Sequence, residues 1–165
     1  LKHLKTEDER NYIMFLIGIH SSLMITDLLR IRVQDVQGEE IRLVDRQTGD
    51  LIRVPLDDGL SHILQEYIQD KEPWEYLIKS RKGFNAPISR VTAYRIIKDI
   101  EREFKLHSMG THSLRKTFGY HYYLATEDVD ALQKTFKHTS PGATLRYIGV
   151  LDHDVAKTYK NVKLY

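Results

Sequence analysis

The sequence predicts an α+β domain that is mainly α, a set of helices with one small antiparallel β-sheet. Three observations carry that expectation. Much of the chain lies in stretches whose apolar residues recur three and four positions apart. One region alone, between Glu40 and Leu56, switches to alternation with period two. Several helical stretches open on a capping side chain, most clearly at Ser89 and at Ser140-Pro141.

Taken in order, Asn11 to Ile19 and Ile25 to Val33 are predicted helices separated by a Ser21-Ser22 break. Thr26 is the expected N-cap of the second, Asp27 its first-turn carboxylate, and Leu28, Leu29 and Val33 its buried stripe. Glu40 to Val44 and Leu51 to Leu56 form a hairpin around Thr48-Gly49. Leu60 to Ile68 is helical, Pro73 to Ile78 a loop and short strand, and Lys82-Gly83 a turn. Ser89 caps a helix with Ala93, Ile96, Ile97 and Ile100 inward, ending near Phe104, and Gly110 ends the following loop. Three more helices follow: one from Thr111 carrying Leu114, Phe118 and Tyr122 on one face, one over Val129 to Phe136, and one from Ser140-Pro141 with Tyr147 in its second turn. A last helix is expected over Asp152 to Lys160.

At 165 residues the chain is read as one domain, 1–165, long enough to bury a core without staples. There is no cysteine, which excludes a disulfide framework and a thiolate metal site and fits a reducing, cytoplasmic setting. The first ten residues are charged, and no apolar run approaches the roughly 18 residues of a membrane span. The net charge of +2 identifies no partner by itself. Its distribution is more informative: Lys79, Arg81 and Lys82, then Arg90, Arg95 and Lys98, then Arg115-Lys116, and Lys134 with Lys137 lie among hydroxyl and aromatic side chains. That mixture suits phosphate contacts, although solvated helix faces also account for it.

Two segments hold residues able to do chemistry. His112 and Arg115, three apart in the first turn of a helix, fall on one face beside unpaired backbone amides, which makes a phosphate cradle. Read alone, they are equally an exposed pair on a capped helix. His138 precedes Ser140-Pro141 and Tyr147 follows in the same helix, but with ten tyrosines and eight histidines in the chain one such pair means little. A histidine metal site is disfavoured, because His107, His112 and His121 give no close i, i+4 ligand pair.

Together the segments are far more specific. Thr111-His112-Ser113-Leu114-Arg115 running on to Gly119, Lys137-His138-Thr139-Ser140-Pro141, and Thr144-Leu145-Arg146-Tyr147 resemble the C-terminal catalytic signature of tyrosine recombinases, the phage integrases. Ser22 to Leu29 looks like the opening of that family's first catalytic box, Asp45 to Leu56 like the hairpin of its catalytic lysine, and Lys79 to Gly83 with Ile88 to Arg90 and Tyr94 to Ile96 also match. The N-terminal domain that clamps the other face of DNA in full-length members has no counterpart in this sequence.

The resemblance implies that a tyrosine hydroxyl attacks a DNA phosphodiester, giving a 3′-phosphotyrosyl bond and a free 5′-hydroxyl without metal or nucleotide cofactor. On it Tyr147 is the nucleophile, Arg115 clamps the phosphate, His112 assists proton transfer or phosphate binding, and His138 hydrogen-bonds the phosphate. Arg81, Lys82, Arg90, Arg95 and Lys116 are the expected further contacts to double-stranded DNA, with self-association on DNA as the accompanying expectation and no membrane partner.

Two positions depart from the family pattern. Met24 stands where its first phosphate-clamping arginine is expected, and Gln47 where its hairpin lysine acts as general acid. Arg46 is adjacent to Gln47 but points to the other face of a regular hairpin, and Arg30 is more than a turn from Met24. Arginine at a phosphoryl centre supplies about 10³ to 10⁵ in rate and a general acid roughly 10² to 10⁴, so strand transfer is expected to be very slow. Duplex binding, shared among many donors, should survive. The expected function is therefore a DNA-binding, recombination-deficient domain of regulatory use, as a phage repressor or accessory factor. The alternatives are an active integrase whose missing groups come from elsewhere, and a chain in which the arginine was deliberately replaced.

Overall fold

The computed structural model describes residues 2–46 and 48–150. Gln47 and the helix expected over Asp152 to Lys160 lie outside the described residues. The chain divides into two compact units, Leu1–Arg115 and Lys116–Tyr165.

The first unit is built around one buried helix. Helix α1 (Lys2–Glu7) leads into α2 (Glu9–His20), whose N-cap Asp8 accepts from the Asn11 amide at 3.2 Å. Tyr12 through Gly18 are all buried, so α2 is apolar on every side, as expected of a helix enclosed by its neighbours. It packs on α1, on α3 (Ile25–Leu28) and on α4 (Asp58–Ile68). Helix α4 opens on Asp57, which accepts from Leu60 N at 2.9 Å. Its Tyr67 hydroxyl donates to the Leu77 carbonyl, and burial pushes that phenol up to about 12.

The hairpin forms as expected, β1 (Glu40–Val44) antiparallel to β2 (Leu51–Pro55) with Ile41 facing Val54. Ile41, Leu43 and Val54 point into the core, while Arg42 and Arg53, directly opposite one another outside, both bond to Glu40 Oε1. Gly49, at φ +78°, closes the turn by donating to the Asp45 carbonyl.

Helix α5 (Arg90–Glu103) starts as the sequence predicts, with Ser89 Oγ accepting from Thr92 N at 3.0 Å. Ala93, Ile97 and Ile100 bury one face. Arg90, Val91, Tyr94 and Arg95 are exposed on the other.

Three local expectations are corrected. The helix predicted over Ile25 to Val33 stops at Leu28, and Val33–Val36 forms a separate 3-10 turn. The backbone between them is taken by distant partners: Val33 N donates to the Glu75 carbonyl at 2.9 Å and Leu77 N to the Ile31 carbonyl at 2.8 Å. The N-cap of α3 is Met24 and not Thr26, with no side-chain cap bond. The strand expected within Pro73 to Ile78 is reduced to an isolated bridge between Tyr76 and Arg32, because Leu77 and Ile78 are both fully buried and alternation is lost.

Helix α6 (Ser113–Thr126) begins two residues later than expected, after a Thr111-His112 turn. In the second unit, α7 (Val129–Phe136) and α8 (Pro141–Ile148) pack on each other. Leu132, Phe136 and Ile148 form the core here, with Phe118, Tyr122 and Tyr147 packed against it. Gly119 admits the Phe136 ring so closely that a Cβ there would stand 2.7 Å from its Cζ. No helix among the described residues is long and apolar enough to cross a membrane.

Candidate phosphate-binding and nucleophile site

The site residues of the first unit are assembled by three anchors. Gly18 of α2 lets the first turn of α6 come close, since a Cβ on it would lie 2.6 Å from Leu114 Cδ1 and 2.9 Å from Leu114 Cβ. Leu114, only 4% exposed, is thereby seated against α2, and Arg115 follows it. The turn before α6 is tied on both sides: Gly110 N donates to Ser113 Oγ and Ser113 N to the Gly110 carbonyl, each at 2.9 Å. Glu101 of α5 accepts from Met109 N at 3.0 Å. A bond from Lys98, and then that amide, hold the Glu101 carboxyl below its usual range.

The result is a cavity of about 220 Å³ lined by Met24, Ile25, Thr26, Arg90, Thr111, His112 and Arg115. The sequence-predicted His112 and Arg115 are together in it, and so is Met24, 45% exposed at the entry to α3. Its thioether offers neither charge nor donor. Arg30 and Arg46 line a separate cavity of about 420 Å³ with Arg32 and Arg42. Arg30 is held there by Asp27 Oδ1 at 3.2 Å and the Val44 carbonyl at 3.0 Å. Neither lines the cavity of Met24.

Tyr147 and His138 belong to the second unit. Helix α7 closes on Lys137 in the left-handed conformation, φ 57°, with Lys137 N bonded to the Lys134 carbonyl and His138 N to the Gln133 carbonyl. Gln133 Nε2 also donates to the His138 carbonyl at 3.2 Å. Thr144, fully buried in α8, bonds to His138 Nδ1 at 3.1 Å and to the Ser140 carbonyl at 3.3 Å. A hydroxyl that donates to the carbonyl can at the same time accept from Nδ1–H, an arrangement compatible with the Nδ1-protonated tautomer. The His138 and Tyr147 rings meet edge to face at 5.0 Å, and Lys116 Nζ lies 5.3 Å from the Tyr147 ring centre. Tyr147 is half-buried.

Among the expected further contacts, Arg95, Lys82 and Lys116 are exposed, whereas Arg81 pairs with Asp8 Oδ2 at 3.0 Å. Sequence reasoning missed Gly18, Ser113, Glu101 and Thr144, which place the site without belonging to it. Only Thr144, one turn after the cap Ser140 and beside His138, left a readable trace.

A mainly helical domain with a two-stranded antiparallel sheet in this order has the catalytic fold of the tyrosine recombinases. The sequence model of the phage integrase family matches residues 1–153, and the chain belongs to that family. It is 38% identical over 160 residues to "Probable integrase/recombinase YoeC" of Bacillus subtilis (strain 168), a match over 96% of this chain and 88% of that protein. Its fold is similar to that of the XerA recombinase, with a TM-score of 0.74 at 18% identity over 99% of this chain and 60% of that one. It is similar also to XerH bound to a palindromic difH substrate in a post-cleavage complex, with a TM-score of 0.67 at 17% identity over 92% of this chain and 45% of that one. This chain thus spans less than two thirds of either solved chain.

Proposed function

We propose that the domain binds double-stranded DNA and performs strand transfer, if at all, at a strongly reduced rate, which fits a regulatory use such as repressor or accessory factor. The observation that carries this reading is Met24 in the wall of the cavity that holds His112 and Arg115. An arginine there would face the same space as Arg115. Methionine leaves developing phosphate charge without one of its donors, a loss of about 10² to 10³ in rate for an electrostatic donor of this kind. On the family resemblance Gln47 removes the general acid as well. Tyr147 keeps the nucleophile's role, with His112 and His138 as phosphate partners, and the DNA contacts are spread over Lys82, Arg90, Arg95 and Lys116.

The test is covalent adduct formation on a nicked suicide substrate. The unmodified chain is expected to give little or none, and Met24→Arg with Gln47→Lys to raise the yield by several orders of magnitude, each single change doing less. Adding Tyr147→Phe should abolish the gain, because phenylalanine has no oxygen to attack phosphorus. Adduct formed by the unmodified chain at the rate of an ordinary integrase would overturn the impaired-chemistry reading.

A further inference from the structure

We infer that Arg90, in the first turn of α5, adds a second guanidinium to the cavity it shares with Arg115, so that the two together grip one DNA phosphodiester in binding, without restoring the transition-state donor that Met24 lacks. This rests on the DNA-binding reading above and gives it a defined anchor. Nothing near Met24 in the sequence offers such a group; the fold brings it from a distant helix.

Four observations support the assignment. Arg90 and Arg115 line the same cavity of about 220 Å³, together with His112, Thr26 and Thr111. None of the lining residues is acidic, and two of them carry permanent positive charge. Planar guanidinium groups present paired donors to phosphate oxygens and stay charged at all working pH values.

The third observation is how the neighbouring cations are used. On α5, Lys98 is bonded to Glu101 and Arg102 to Asp99, and in the preceding loop Lys79 is bonded to Glu75 and Arg81 to Asp8. Arg90 is exposed, and its side chain makes no hydrogen bond or ion pair among the described residues. The fourth is rigidity. Ile88 before it and Ala93 after it are buried, and Ser89 caps the helix, so the base of the Arg90 side chain is fixed while its head is available. A donor fixed in advance loses little freedom on binding.

The role is binding and not proton transfer, because a guanidinium cannot serve as the general acid assigned to the position of Gln47. A domain with this cradle would hold a backbone phosphate firmly and cleave it poorly.

The experiment uses the full chain labelled at its methionine methyl groups and followed by NMR. Met24 lines the cavity and reports occupancy; Met14, wholly buried in α2, reports the integrity of the fold. Inorganic phosphate, titrated at constant ionic strength, is expected to shift the Met24 resonance saturably. Arg90→Ala should weaken that binding about tenfold, Arg90→Lys less, and Arg95→Ala hardly at all, with Met14 unmoved throughout. Returning a guanidinium to the lining of the cavity in the double variant Met24→Arg, Arg90→Ala, read from the His112 ring signals, should restore affinity.

Duplex DNA forms the second arm. It should shift Met24, displace phosphate, and lose the Met24 shift in Arg90→Ala. Equal phosphate affinity in Arg90→Ala and the unmodified chain, or equal losses in Arg90→Ala and Arg95→Ala, would overturn the inference. So would phosphate binding that duplex DNA neither displaces nor reproduces, which identifies a free-anion site. If the unmodified chain fails to bind DNA in a gel shift, the DNA-binding reading falls instead, and the phosphate titration still reads the cavity.

Discussion

Thr144 is a residue whose importance far exceeds its size. Wholly buried, it lies within hydrogen-bond distance of both the Ser140 carbonyl and His138 Nδ1 and so holds the orientation of the ring. Thr144→Val keeps the shape and deletes the hydroxyl that meets His138 Nδ1, while the Ser140 carbonyl keeps its bond from Thr144 N. It should cost about 1–3 kcal/mol in chemical denaturation and give His138 a mixture of ring orientations visible in its ¹⁵N spectrum; unchanged stability would show that the hydroxyl is dispensable. Such contacts are hard to read in advance. His138, Ser140 and Tyr147 were identifiable from motif and capping chemistry, which are local. The partner of the histidine ring follows only from how α8 seats on α7. Met24 and Gln47 drew notice for the opposite reason, as departures from the pattern that the resemblance implies, whereas Arg90 was read as a DNA contact but not as lining one cavity with Met24.

At the level of elements, the close approach of α2 and α6 at Gly18 decides where Arg115 stands. Gly18→Ala places a methyl against Leu114 Cβ, an atom near the backbone that has no room to swing aside, so the first turn of α6 must shift. Overpacking of this kind is expected to destabilise by about 1–3 kcal/mol and to weaken DNA binding more than a cavity in the far part of the core would. Thermal melting and gel shift on the same variant check both halves, and a variant as stable as the unmodified chain would refute the close contact. Helix starts were well read where the sequence showed a cap: α5 and α8 begin where Ser89 and Ser140-Pro141 place them, since a capping side chain and its amide lie within a few residues. The region from Ile25 to Val36 was misread because its backbone bonds run to Pro73, Glu75 and Leu77. A period of three to four describes burial there, and burial was right at Leu28, Leu29 and Val33, but the conformation was set by partners about forty residues away.

For the whole molecule the relevant quantity is how positive charge is distributed, not its sum of +2. Pairing on α5 and in the loop before it neutralises Lys79, Arg81, Lys98 and Arg102 locally, while Arg90, Arg95, Lys82 and Lys116 pair with no carboxylate among the described residues. Duplex binding should therefore weaken with salt with a log–log slope set by a few phosphates, roughly 0.9 per contact. For about four contacts the slope is near −4, measurable by fluorescence anisotropy between 50 and 200 mM salt as ~10²-fold loss. A slope near zero would remove the electrostatic basis of the proposed function. Fold class was the most legible property of all, because it needs only the count and type of elements, and these survive errors in any one of them.

The stacked pair Trp74 and Phe84 has an optical consequence. Trp74 is the single tryptophan of the chain, 40% exposed, with its ring 5.6 Å from that of Phe84, itself 85% exposed, next to Lys82 and the left-handed Gly83. The chain's dominant fluorophore therefore sits at a surface loop and not in either core. Emission excited at the indole band reports quenching, hydration and ligand approach at that loop, and a melt followed this way records the opening of the 80–86 segment. If that opening precedes loss of the helical signal in circular dichroism, the mismatch reflects where the probe lies and does not by itself reveal a folding intermediate.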